Sequence, residues 1–231
     1  MRIYAVCAVA VCCFFLGFTT TELPSASVAV NQQETENIGF KWSFGAIVGK
    51  DRKFVSVTKD TVLRSGDEVK MLVELTKDCF VYVIHSGSNG EISLKFPYNF
   101  KQFSGDYKTG KNYFIPAGRT WDELDKNVGR ETFYLLAASE RLIELEALLG
   151  NYMAAEDSKK PPLGEQIVAE IRSVKKRFKT FTTLAEKPIT IGGNVRSLEK
   201  AEEAKRPDVS TIATQISASN FYSKTFTIDH K

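Results

Sequence analysis

Polar and apolar residues alternate along much of the chain. The run "FKWSFGAIV" sets Phe40, Trp42 and Phe44 against Lys41 and Ser43, which predicts a half-buried strand. "KFVSVTKD" predicts a second, shorter one. "EVKMLVELT" places Val69, Met71, Val73 and Leu75 on one face, with Lys70 and Glu74 on the other. "CFVYVIH" is apolar on both faces and predicts a strand covered on both sides. Asn89-Gly90 predicts a hairpin turn, because both residues tolerate positive φ. "EISLKF" then returns with Ile92, Leu94 and Phe96 aligned, until Pro97, which has no N–H to donate, ends the strand. "YFIPAG" reads as a short edge strand broken by Pro116, "TWDELD" as one helical turn, and "ETFYLLAAS" as another buried strand.

The period changes after Ser139. "SERLIELEALLGNYM" repeats Leu142, Leu145, Leu149 and Met153 at helical spacing, with Gly150 near its end. "EDSKKPPLG" reads as a linker. "EQIVAEIRSVKKRF" aligns Ile167, Ile171, Val174 and Phe178, with Arg172, Lys175, Lys176 and Lys179 on the far side. "SLEKAEEAKR" is charged all round and suits a short helix or a loop. "STIATQISASNFYSKTFTIDH" alternates again, with Tyr222, Phe226 and Ile228 on one face. The pattern predicts a mainly β chain: an antiparallel β-sandwich or open barrel as a single domain over residues 38–231. Two or three helices are expected as an insertion at about residues 140–206, before a C-terminal strand or hairpin.

The N-terminus stands apart from this pattern. Arg2 precedes an apolar run from Ile3 to Phe18, short for a membrane span and suited to the core of a secretory signal peptide. Small residues at Ser27 and Ala29 fit a cut before Val30, so residues 1–29 are expected to be removed; an uncleaved membrane anchor is the alternative. Cys7, Cys12 and Cys13 would leave with that segment, so Cys79 would have no disulfide partner in the mature chain. The chain has 231 residues, 43% of them hydrophobic, enough for one sizeable core. Its net charge of +3 is too mild to suggest nucleic acid as a partner.

Several short motifs share one stretch: Gly66-Asp67 before a strand, Tyr82 within the next, and the turn at Gly90. Phe96-Pro97 with Asn99, Ile115-Pro116, Gly129 with Glu131, and Ala138-Ser139 follow. Over about residues 63–139 this resembles the DUF4384 family, a bacterial domain of unknown function. The resemblance implies an exported accessory or sensing domain, found in other chains beside caspase-like peptidase or protein-kinase domains. It brings no catalytic residues to carry over.

The residues themselves offer little chemistry. Cys79 and His85 on one strand are about 20 Å apart, too far for a nucleophile and its base. His85 is expected to cap its strand and Cys79 to act as a small apolar residue. Only His85 and His230 are present, so no Cys/His zinc set can assemble, and no metal, cofactor or catalytic group is expected. The glycine pair in "IGGN" reads as a turn. Two candidate binding surfaces stand out. One is the loop carrying Tyr98, Phe100, Phe103 and Tyr107, which would either present its aromatics or fold them back onto the sheet. The other is the basic helix face of Arg172, Lys175, Lys176 and Lys179, which would suit an acidic partner or anionic lipid. The expected role is a non-catalytic binding module of the bacterial cell envelope, periplasmic or at the cell surface, recognising a protein, glycan or lipid surface. The alternatives are a subunit of a cell-surface assembly that pairs through a strand edge, and a hydrolase using loop carboxylates such as Asp106, Asp122 or Glu123. Oligomeric state is left open.

Overall fold

The computed structural model describes residues 37–178, 184–189 and 206–231 of the chain. The expected signal segment, Lys179, the "IGGN" turn and all but the last residue of "SLEKAEEAKR" lie outside the described residues.

Among the described residues twelve strands form two facing sheets. The first sheet contains β1 (Ile38–Val48), β2 (Lys53–Ser56), β4 (Glu68–Leu75), β7 (Asn112–Ile115), β8 (Asp122–Glu123), β10 (Leu184–Pro188) and β11 (Thr214–Ala218). Its order is β10-β11-β1-β4-β7, with β2 paired to the far half of β1 and β8 to the start of β4. The second sheet contains β3 (Asp60–Leu63), β5 (Phe80–Ser86), β6 (Ile92–Phe96), β9 (Gly129–Ala138) and β12 (Phe221–His230), in the order β3-β12-β9-β5-β6. All pairings are antiparallel except β3 with β12. Of the two predicted architectures the sandwich is the one formed: the sheets are separate and do not close into a barrel.

The period-two pattern explains the core. Phe40, Trp42 and Phe44 of β1 and Val69, Met71, Val73 and Leu75 of β4 meet Val81, Val83, Leu135, Tyr222 and Phe226 of the second sheet. The opposite face of the second sheet is also buried. Tyr82, Ile84, Leu136 and Phe221 pack under α1 (Ile143–Ala154) and α2 (Lys160–Phe178). This is why "CFVYVIH" is apolar on both faces: Val81 and Val83 face the other sheet, while Tyr82 and Ile84 face the helices. The helical stripe Ile167, Ile171 and Val174 is buried as the spacing predicts.

Several local expectations are corrected. "TWDELD" forms β8 rather than a helical turn, because the Leu124 N–H is taken by Asp67 C=O and Leu124 C=O accepts from the Gly66 N–H. The expected linker is mostly helix: α2 begins at Lys160, with Pro161 and Pro162 in its first turn, where no N–H partner exists. On α1, Met153 is 56% exposed and Tyr152 takes the buried place. Phe96 does not share a face with Ile92 and Leu94. The register slips between Val83 and Ile84, leaving Lys95 as a bulge, so Ile92 and Leu94 turn to the helices and Phe96 to the inter-sheet core. Asn89-Gly90 is part of a five-residue loop, closed by Gly90 N–H to Gly87 C=O and Gly87 N–H to Glu91 C=O, in which only Gly90 has positive φ. Lys70, on the other face of β4 from Val69 and Met71, is 5% exposed. Its Nζ donates to the carbonyls of Pro116, Gly118 and Thr120 and so holds the loop that leads into β8.

Candidate functional site

The aromatic loop folds back onto the sandwich. Tyr107 accepts the Val81 N–H at its hydroxyl and donates to Cys79 C=O. Phe103 packs edge-on against Phe80, Tyr82 and Tyr107, and Phe100 lies against the same layer as the helices. Tyr98 is 43% exposed, but its hydroxyl is donated to Phe114 C=O on β7. That bond occupies part of the β7 edge, and the Tyr152 hydroxyl accepts the Ile92 N–H on the β6 edge. Both edges are thereby blunted toward a neighbouring strand.

The basic helix face is divided. Lys175 donates to Thr225 on β12 and Arg177 pairs with Glu170, while Arg172 and Lys176 are exposed. Cys79 lies in the inter-sheet core, where burial pushes its thiol up to about 11.

His85 does more than cap a strand. His85, Glu131 and His230 stand on the inter-sheet faces of β5, β9 and β12, three adjacent strands. In the register, His85 pairs with Phe133 and His230 with Gly129, which puts each imidazole one diagonal step from Glu131. His85 Nε2 lies 2.9 Å from one Glu131 oxygen and His230 Nδ1 lies 3.3 Å from the other. The outer ring nitrogens face hydroxyls, Ser93 Oγ at 3.5 Å from His85 and Ser65 Oγ at 3.1 Å from His230. The hydrogen bond from His85 holds the Glu131 carboxyl below its ordinary range, against the opposing effect of burial. The sequence pointed to Glu131 only as part of a motif. His230 keeps the parity of Phe226 and Ile228, which was the one available signal that it faces inward.

His85 and Glu131 form one end of a cleft of about 440 Å³, with His230 buried behind them. Its walls are the loop between β5 and β6 on one side, and β8 with the residues after it on the other. Gly129 brings the walls together: at φ +141, a Cβ there would lie 2.7 Å from Ser88 Cβ. The lining includes the acidic residues Glu91, Asp122, Glu123, Asp125 and Glu131 and, among the described residues, one cation, Lys95, which sits 3.7 Å from Asp122. A second groove of about 830 Å³ adjoins it, between the same loop and the start of α2.

Ser65, His230 and Glu131 have the connectivity of a hydrolase triad, yet the N–H groups beside Ser65 are all engaged. Ser65 donates to Lys231 C=O, Gly66 to Leu124 C=O and Asp67 to Arg64 C=O, which leaves no local pair of donors for an oxyanion. Asp122 and Glu123 line the cleft, but as neighbours on β8 their side chains leave opposite sides of the strand and do not converge. Asp106 is elsewhere, paired with Lys111. Among the described residues no group of three or more His, Cys, Asp and Glu side chains could hold a metal ion, and no helix is long and apolar enough to cross a membrane.

No curated protein and no solved structure matches this chain. The model of the family described as "Domain of unknown function (DUF4384)" matches residues 62–141, so the chain resembles that family over the span, about a third of its length, that supplies every lining residue of the cleft.

Proposed function

We propose that this protein is a non-catalytic binding module of the bacterial cell envelope, and that its cleft engages a basic segment of a partner protein. The observation that carries this reading is the charge of the cleft: among the described residues five acidic ones line it against one lysine, on a chain whose net charge is +3. A concave site lined by one sign of charge concentrates ligands of the other sign. The missing oxyanion donors favour binding over hydrolysis. The blunted β6 and β7 edges favour a cleft over strand pairing as the means of recognition. Export rests on the apolar run Ile3–Phe18 and is tested by N-terminal sequencing of the protein from an envelope fraction.

The binding test uses a fluorescent tetralysine peptide and the combined variant Asp122→Asn, Glu123→Gln, Asp125→Asn. Loss of at least about tenfold in affinity, with a salt dependence that also diminishes, is the expected result. Equal affinity for wild type and variant would overturn the cleft as the site.

A further inference from the structure

We propose that the cleft's hold on a cationic partner is linked to protons through His85, which leaves Glu131 and enters the cleft when its imidazole and that of His230 are both charged. This inference rests on the reading of the cleft as a site for a basic segment.

The geometry motivates it. With both rings neutral, His85 Nε2–H and His230 Nδ1–H each donate to one oxygen of Glu131. The remaining ring nitrogens accept from the hydroxyls of Ser93 and Ser65, so every polar atom of the trio has a partner. One added proton turns a neighbouring pair into an imidazolium and a carboxylate, which is favourable. A second leaves two imidazoliums on one carboxylate, and the excess charge is costly in surroundings with little water.

The two histidines are not equally placed to relieve it. The His230 side chain is 0% exposed and is enclosed by Glu131 and the Ser65 turn. The His85 side chain is 18% exposed, lines the cleft, and is held from below by stacking on Phe133 at 4.4 Å. Rotation of His85 outward brings its charge to the carboxylates that line the cleft with it: Glu91 from the β5–β6 loop, Asp122 from β8, and Asp125 beyond. Among the described residues Lys95 on β6 is the one other cation in the lining. An imidazolium among those carboxylates occupies the same charge that a basic partner would use, so protons and partner compete. By linkage, partner binding must in turn drive protons off the trio.

The test compares wild type with His85→Gln, measuring tetralysine affinity at about pH 7.5 and about pH 5.5, the interval in which histidine ordinarily titrates. The expected result is a loss of at least about fivefold for wild type at the lower pH, and one affinity at both pH values for His85→Gln. Equal wild-type affinities, or the same loss in both proteins, would overturn the proposal. A second measurement needs no ligand: the ring-proton NMR shifts of His85 carry the ring current of Phe133. That contribution should vanish at about pH 5.5 while the His230 resonances keep their buried character. Its persistence would sink the proton device even if the peptide binds. Failure of the peptide to bind at about pH 7.5, with the NMR change present, would instead overturn the cationic-partner reading alone.

Discussion

Tyr82 donates its hydroxyl to Glu146 at 2.6 Å, and the same oxygen accepts the Leu142 N–H at 3.1 Å. One side chain of β5 thus ties the start of α1 to the sheet, and Arg141 completes the site by pairing with Glu146. Burial and the Glu146 carboxylate push the Tyr82 phenol far above its ordinary range, so it stays a donor at any physiological pH. Tyr82→Phe leaves a buried carboxylate and a buried N–H each short of a partner. The expected cost is about 1–3 kcal/mol, read from urea denaturation with an unchanged m-value.

Tyr107 and Phe103 should behave as parts of the core. Removing the Tyr107 side chain with Tyr107→Ala opens a void against Phe96, Phe103 and Tyr113 and strips the Val81 N–H of its acceptor. A loss of about 3–5 kcal/mol is expected by thermal or chemical denaturation. A change under about 0.5 kcal/mol would mean that the loop is presented to a partner and not packed.

Gly129 combines two demands, a positive φ and the close approach of Ser88. Gly129→Ala should therefore cost about 1–3 kcal/mol and widen the cleft. Adding Ser88→Gly should recover only the steric share, because the backbone conformation is unaffected by it. A double-mutant cycle measures the split.

Acid should weaken the fold through Glu131. Its folded-state pKa lies below the ordinary 4.5, chiefly through the hydrogen bond from His85 and also through that from His230, which stays in place when His85 turns outward. A carboxylate depressed on folding contributes stability that is present above its unfolded pKa and lost as pH falls through the folded one. Stability should thus fall below about pH 4.5, and Glu131→Gln should flatten that part of the profile while lowering stability at neutral pH. Denaturation midpoints collected from neutral to acid pH check the sign.

Cys79 should be inert while the protein is folded. Its thiol is 2% exposed and raised to about 11, so at about pH 8 almost none is thiolate. Alkylation by iodoacetamide is expected to proceed no faster than unfolding, and to become rapid in denaturant. Fast labelling of the native chain would contradict the position of Cys79 in the core.

Much of the scaffold was legible because side-chain period is a local property. Val69, Met71, Val73 and Leu75 had to face one way on any strand, and the two-sided apolar run Phe80 to Ile84 required covers on both faces. Glycine and proline marked the turns for the same local reason, and the motifs from Gly66 to Ser139 lie within the span that the family model matches. Tertiary structure decided what depends on pairing. "TWDELD" became a strand because Asp67 and Gly66 offered it backbone partners, and Phe96 changed faces because of one bulged residue. Lys70 was buried by three carbonyls from a distant loop. The cleft belongs to this second class. His85, Glu131 and His230 come from three strands, and only the register of those strands brings two imidazoles to one carboxylate. No local period in the sequence encodes that register, because it is fixed by the packing of both sheet faces at once.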